Sequence, residues 1–328
     1  IPLGIDTDDF KFTKEDRINA RKNFHIDENE FVVLYVGRLS FHAKANPFPM
    51  YKSLETVANK SNRKLVLIEC GWYANKGIQD AFIQAANKLC PNIKVLRVDG
   101  SQNDLKLKSF AAADLFCSLS DNIQETFGIT PIEAMAAGLP VIVSDWNGYK
   151  DTVRDGLDGY RIPTLMPPPG YGSDLALRYA MDIDNYDMYI GNISNLISIN
   201  SSLLNNALYQ ILTNDKLRID MANNARKRVI DNFDWSKIIP KYEKLWSDLN
   251  TARKKSSNIN YMYTSSIDPF LGFYSYPTNI ISRHSVISLI ESSIDKTIKK
   301  LKIAKDLYIV NYSRYTLPGD TLLIKLIN

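Results

Sequence analysis

The amino-acid sequence predicts an α/β fold, a Rossmann-like parallel sheet with helices on both faces. Three observations carry that expectation. Five short apolar runs recur along the first half of the chain, stretches of helical character separate them, and none alternates strictly between polar and apolar residues. Runs without alternation belong to strands covered on both faces, as in parallel sheets. Strand and helix in regular succession imply a doubly wound sheet, whose ligands sit at the carboxyl ends of the strands. A chain of 328 residues, 45% hydrophobic and 23% charged, has the composition of a packed globule.

The strands expected in order are F-V-V-L-Y-V (Phe31–Val36), K-L-V-L-I (64–68), I-K-V-L-R-V (93–98), D-L-F-C-S-L (114–119) and P-V-I-V-S (140–144). Helices are expected between them at M-Y-K-S-L-E-T-V-A-N-K (50–60) and I-Q-D-A-F-I-Q-A-A-N-K-L (78–89). Residues 165–198 open on Pro-Pro-Pro-Gly and are rich in Tyr and Asp, which suggests an ordered insertion or lid. Helices return from Ser202 to about Asn250, where a first domain spanning 1–250 is expected to close. The polar R-K-K-S-S-N-I-N stretch then reads as a linker. The tail within 251–328 carries a helical stripe (Ile287, Ile290, Ile294, Ile298, Leu301). Two apolar runs follow around Pro-Gly-Asp, so it reads as a helix and a hairpin of unknown role.

Bulk properties exclude several function classes. A net charge of +4 without a dense basic block argues against nucleic acid as partner and gives no argument for a membrane surface. Cys70, Cys90 and Cys117 form no CxxC pair, and with only three histidines a structural zinc site is not expected. Reduced thiols in a cytoplasmic protein are the expectation, with peripheral membrane contact left open. Asp6-Thr-Asp8 and Asp182-Ile-Asp184 imitate a manganese-binding D-x-D without following a strand, so no metal is expected. No G-x-G-x-x-G follows a strand, which counts against a dinucleotide dehydrogenase.

Candidate chemistry gathers in two stretches. In Q-E-T-F-G-I-T-P-I-E-A-M-A-A-G-L-P-V, Glu125 and Glu133 stand eight positions apart around Gly128. Thr130 suits an N-cap, Pro131 a first helical turn and Glu133 the third position of a capping box, with Gly138 and Pro140 as the stop. Glu133 thus reads equally as a cap and as a ligand group, and Glu125 as a solvated carboxylate or a binding one. Amides at a helix start attract anions. The second stretch, V-G-R-L-S-F-H-A-K, ends the first strand. Gly37 admits close backbone approach, and Arg38 and Lys44 suit a diphosphate, one as a fork and one as a point charge. Taken alone, that pair reads as two solvated cations. His42 lies between them.

Together these stretches, with G-Y-K-D-T-V-R-D-G-L-D-G-Y, I-P-L-G-I-D-T-D-D-F and the F-D-W…Y-E-K-L-W helix, resemble the donor-binding half of glycosyltransferase family 4 over roughly residues 1–250. That resemblance implies a GT-B architecture and retaining, metal-independent transfer from a nucleotide-diphosphate-sugar to a sugar or lipid-linked acceptor, with no cofactor. It implies that Glu125 binds donor-sugar hydroxyls, that backbone at Phe127, Gly128, Ile129 and Thr130 faces sugar and phosphate, and that Glu133 binds the ribose. Arg38 and Lys44 would hold the diphosphate, and Gly37 and Gly71 would lie against the ligand. It also implies a missing N-terminal domain carrying most of the acceptor site. Ala45 stands where the family often has glycine after the loop lysine, and C-G-W-Y replaces a glycine-rich turn, so Trp72 or Tyr73 is expected near the site. The alternatives are a nucleotide-sugar epimerase of the same fold and a non-catalytic binding or scaffold module.

Overall fold

In the computed structural model, which describes residues 1–255, 268–286, 288–290 and 293–327, six parallel strands carry the first half of the chain. They are β1 (Phe31–Val36), β2 (Leu65–Gly71), β3 (Lys94–Asp99), β4 (Leu115–Ser118), β5 (Val141–Ser144) and β6 (Gly159–Ile162). Their order is β3-β2-β1-β4-β5-β6, every pair parallel. Five of them overlie the apolar runs of the sequence. The sixth was not among the expected strands. It is a short edge strand whose Tyr160 and Arg161 are half-exposed, and its Gly159 sits so close to β5 that a Cβ would lie 1.8 Å from the Val141 carbonyl oxygen.

The helices α1 (Lys14–Asn23), α2 (Phe48–Ser61), α3 (Lys76–Leu89), α4 (Asn103–Ala112), α5 (Ile129–Ala136) and α6 (Tyr149–Thr152) alternate with these strands. Odd residues of β1 (Phe31, Val33, Tyr35) face a cluster with Leu54 of α2 and Phe82 of α3. Even ones (Val32, Leu34, Val36) face another with Phe110 of α4 and Ile132 and Met135 of α5. Burying one such side chain contributes about 1.5–3 kcal/mol. An exposed helical ion pair such as Lys76–Asp80 contributes about 0.2–0.5 kcal/mol, so the two apolar faces hold the sheet. The strand order reverses between β1 and β4, which opens a crevice outside their carboxyl ends.

The insertion is ordered. It runs through β7 (Thr164–Met166), α7 (Ser173–Ala180), α8 (Tyr186–Ser194) and β8 (Ser198–Ile199). Helices α9 (Ser201–Thr213), α10 (Asp215–Asn232) and α11 (Trp235–Lys255) follow. The boundary read at Asn250 lies inside α11, whose last turn holds Arg253, Lys254 and Lys255, cations that suit a helix C-terminus. The chain then returns to the insertion: α12 (Pro269–Gly272) and β9 (Asn279–Ile280) add to a small sheet of order β8-β7-β9. Trp146, Met166, Ile190, Ile193 and Phe270 form its core.

The hairpin expected in the tail is not formed. Residues there make α13 (Ile294–Lys305), α14 (Tyr308–Asn311) and α15 (Asp320–Ile327). Short apolar runs do not distinguish strand from buried helix, and here local features decide for helix. Asp320 sits in the first turn of α15 and pairs with Lys305, while Leu307, at the N-cap of α14, and Ile309 within it are buried. The amphipathic stripe is weakly used, with Ile290 and Ile294 exposed and Ile298 and Leu301 half-buried. Ile287 lies outside the described residues.

Candidate functional site

The loops after β1 and β4 meet at the switch point. Past its last residue, β1 keeps pairing with β2, as Gly37 N–H donates to the Cys70 carbonyl (3.0 Å) and Leu39 N–H to that of Trp72 (3.0 Å). Gly71 is required by this contact, since a Cβ there would stand 1.9 Å from the Gly37 carbonyl oxygen. Its role in the structure is thus backbone packing between two strand ends. The chain then turns, with Lys44 N–H bonded to the Ser40 carbonyl (3.0 Å) and Arg38 Nη2 donating to the Ala43 carbonyl (2.9 Å). The Arg38 and Lys44 side chains are both half-buried on this turn.

The β4 loop is laced to the β1 loop. Ser120 Oγ donates to the Lys44 carbonyl (3.2 Å), Asn122 Nδ2 to that of His42 (3.0 Å), and Lys44 Nζ pairs with Glu125 Oε2. Glu125 is not a solvated loop carboxylate. Only 8% of it is exposed, and the buried Tyr149 hydroxyl lies 3.4 Å from the same oxygen. From the β5 side, Asn147 Nδ2 donates to the Glu125 carbonyl (3.1 Å) and Trp146 Nε1 to that of Asn122 (3.0 Å).

Thr130 is not the N-cap of α5. The helix begins at Ile129, and the cap is Gly128 at φ 77°, without any side-chain cap hydrogen bond. Glycine wins this position because its backbone is left-handed and the Tyr149 ring fills the space of a Cβ, which would fall 1.9 Å from Cε1. The helix end was read correctly: Gly138, at φ 73°, donates its N–H to the Met135 carbonyl (3.0 Å). Around the start, Ile129 is exposed, Thr130 half-buried, and Phe127 packs edge-on against Phe233 at 6.4 Å.

Glu133 is not a cap either. It points to α4, where Lys106 Nζ holds its Oε1 at 3.1 Å. Burial pushes its carboxyl above the usual range, and Lys106 opposes that rise. Glu125 and Glu133 are therefore each held by a lysine from a different element, and Lys106 was not singled out in the sequence. A helical lysine among Leu105, Leu107 and Lys108 gives no signal of its own.

The remaining candidates separate. Trp72 is 49% exposed and, with Leu39, Gly71, Lys76, Arg97 and Asp99, lines an open depression of about 490 Å³ beside the strand ends. Tyr73 is half-buried against Phe82 (5.5 Å). His42 is turned toward the tail, 6.2 Å from the Tyr312 ring, and burial lowers its pKa. Asp6 and Asp184 serve local structure, the first accepting the Asp8 N–H and the second pairing with Arg178. Two buried acids escaped sequence reading. Glu69 accepts from Tyr51 and faces Arg97, and burial raises it to about 7. Asp121 is fully buried in the β4 loop and raised well above the carboxylate range by desolvation.

This geometry has relatives. Residues 16–165 match the family Glycosyl transferases group 1. The chain is 27% identical over 230 residues to a glycosyltransferase of Methanocaldococcus jannaschii, covering 70% of this chain and 48% of that one. It is 25% identical over 256 residues to the lipopolysaccharide 1,2-N-acetylglucosaminetransferase of Salmonella typhimurium (76% and 56% covered). It is 30% identical over 161 residues to the D-inositol 3-phosphate glycosyltransferase of Nocardia farcinica (48% and 35%). The chain spans about half the length of the first two and about a third of the last. Among solved structures, Anabaena HepE in complex with UDP and glucose superposes with a TM-score of 0.52 at 20% identity, covering 74% of this chain and 55% of that one. Sucrose-phosphate synthase from Thermosynechococcus elongatus gives 0.51 at 21% identity, with 77% and 52% covered. Likeness at such identities speaks for the fold. Residues 16–165, which hold Arg38, Lys44, Glu125 and Glu133, thus match Glycosyl transferases group 1, and the fold around them is that of GT-B glycosyltransferases.

Proposed function

We propose that this chain is the donor-binding part of a retaining, metal-independent glycosyltransferase of family 4, which moves a sugar from a nucleotide-diphosphate-sugar to a sugar or lipid-linked acceptor. The observation that carries the reading is the meeting of the two loops at the switch point, where Lys44 reaches Glu125 in front of the start of α5. Two cations and a carboxylate on the loops that lead to the start of α5 suit a ligand with a diphosphate and neighbouring hydroxyls.

In this reading Arg38 and Lys44 hold the diphosphate. When the bond between the anomeric carbon and the β-phosphate oxygen breaks, negative charge grows on that oxygen, and these two cations stabilise it. Glu125 accepts hydrogen bonds from the sugar hydroxyls and Glu133 from the ribose, with backbone from Phe127 to Thr130 lining the passage between them. Lys44 exchanges part of its contact with Glu125 for phosphate when the donor enters. The relatives are longer than the stretch they share with this chain, which supports a further, N-terminal domain as the acceptor side of the cleft. Alone, the chain is then expected to bind donor weakly and to transfer poorly.

Calorimetric titration with UDP, GDP and ADP, beside an Arg38→Ala plus Glu133→Ala double variant, tests this. Saturable binding of one nucleotide is expected, weakened at least about a hundredfold in the double variant, since a hydrogen bond to a charged group contributes about 1.5–3 kcal/mol. Equal binding by both proteins would sink the site assignment.

A further inference from the structure

We infer that Lys106 is a positioning residue for the nucleotide: it fixes Glu133 so that the carboxylate meets the two ribose hydroxyls. The inference rests on the donor-site reading above and names a residue which that reading does not use.

Lys106 lies in the first half of α4 and Glu133 in the middle of α5, so the pair ties together two helices that flank the crevice. Both side chains are largely withdrawn from water, at 25% and 12% exposure. Exposed ion pairs contribute about 0–1 kcal/mol and position little. A half-buried pair with a single hydrogen bond, here 3.1 Å, fixes a direction. Lys106 takes Oε1, and among the described residues no hydrogen bond reaches Oε2, which is left to accept from a ligand. Asp99, the last residue of β3, acts together with Lys106 and Glu133 on the buried Cys70 thiol near the end of β2.

Chemistry supplies the need for the lysine. A vicinal diol donates two protons and is best met by an ionised carboxylate, which only accepts. A neutral acid would present a proton of its own. Burial drives Glu133 toward that neutral form, and Lys106 is the cation that opposes it. Without Lys106 the carboxyl loses both its charge support and its fixed orientation, while the phosphate contacts of Arg38 and Lys44 stay in place.

The test separates ribose from phosphate. Wild type, Lys106→Met and Lys106→Arg are titrated with UDP, GDP and ADP, and with the 2′,3′-dideoxy form of whichever binds. The expected result is a loss of about tenfold in Lys106→Met for the ribonucleotide, largely restored in Lys106→Arg, with the dideoxy form bound within about twofold by all three proteins. Equal losses on both ligands would assign Lys106 to phosphate attraction or to packing and overturn the inference. Unchanged or tighter binding in Lys106→Met would overturn it too. Melting curves accompany each variant, and Lys106→Gln is read in place of a methionine variant that melts early. If wild type binds none of the three nucleotides, the donor-site reading falls first and this inference with it. If it binds ribonucleotide and dideoxy form alike, the inference falls together with the Glu133–ribose contact, while the diphosphate site of Arg38 and Lys44 stands.

Discussion

The sheet domain and the C-terminal tail are built from similar amounts of apolar sequence, yet they use it differently. In β1 and β2 every residue is buried, and their side chains divide between two cores. In α13 and α15 none is fully buried, and Leu326 stands in solvent. Past β9, which belongs to the small sheet of the insertion, the tail is anchored around α14. Leu307 and Ile309 are buried, Asn46 Nδ2 donates to the Ile309 carbonyl (3.0 Å), and the Tyr312 ring packs on Phe41 (5.2 Å) while its hydroxyl donates to the Gly191 carbonyl (2.8 Å). Apolar content therefore does not measure how firmly a segment is attached; the number of faces it can cover does. The anchor also lands on the loop that carries Arg38 and Lys44, so the tail bears on the site.

Substitutions can break this contrast. The largest effect is expected for Gly71→Ala, which puts a Cβ into the Gly37 carbonyl, a backbone group unable to turn aside. A loss of about 3 kcal/mol or more in chemical unfolding is expected. Gly319→Ala in the tail has nothing within 4 Å of the added atom and should leave stability unchanged within about 0.5 kcal/mol. Comparable losses for the two would erase the distinction between the regions.

Next comes a pH effect confined to the sheet. Glu69 is wholly buried and raised from the ordinary carboxyl value of 4.5 to about 7. A folded-state value above the unfolded one means that the neutral form is favoured by folding. Its contribution is complete below pH 4.5 and is lost as the pH climbs through about 7, a span of roughly 3 kcal/mol. Glu69→Gln should flatten that part of the stability profile, measured by urea unfolding from pH 5 to 8. A wild-type profile already flat there would show that Arg97 keeps the acid ionised.

Smaller still, Ile309→Ala should cost about 2–3 kcal/mol if the tail shares the sheet domain's core, whereas Leu326→Ala should cost under about 0.5 kcal/mol. Thermal melts of both, with the nucleotide titration repeated on Ile309→Ala, would sharpen the comparison. Weaker nucleotide binding in that variant would tie the tail to the β1 loop. Unchanged binding would leave it a passive cover.

How much was legible follows the same line. The positions of β1, β2, β4 and β5 were readable because strands buried on both faces must be apolar throughout. β3, although an edge strand, was readable because it keeps Val95, Leu96 and Val98. β6 was not, because an edge strand tolerates Tyr160 and Arg161 on its rim. The start of α5 lies two residues earlier than the capping pattern predicts. Threonine, proline and glutamate fit the local capping pattern, but the Tyr149 ring, arriving from 21 positions further on, leaves room only for glycine at the cap. Glu133 read equally as cap and as ligand group for the same reason: its partner, Lys106, comes from another helix. Local propensity carries no information about such partners.

What the sequence determined by itself is the alternation of strand and helix, and with it the placing of Arg38, Lys44 and Glu125 on loops at strand ends. These follow from hydrophobic burial and chain order, which are local and periodic properties. Tertiary structure alone decided that the β1 and β4 loops adjoin, that Lys44 faces Glu125 and Lys106 faces Glu133, and that the tail folds back over the Phe41 ring. Those outcomes depend on which surfaces remain uncovered once the sheet has formed. Strand order and side-chain direction fix that, and neither is written in any short stretch of the chain.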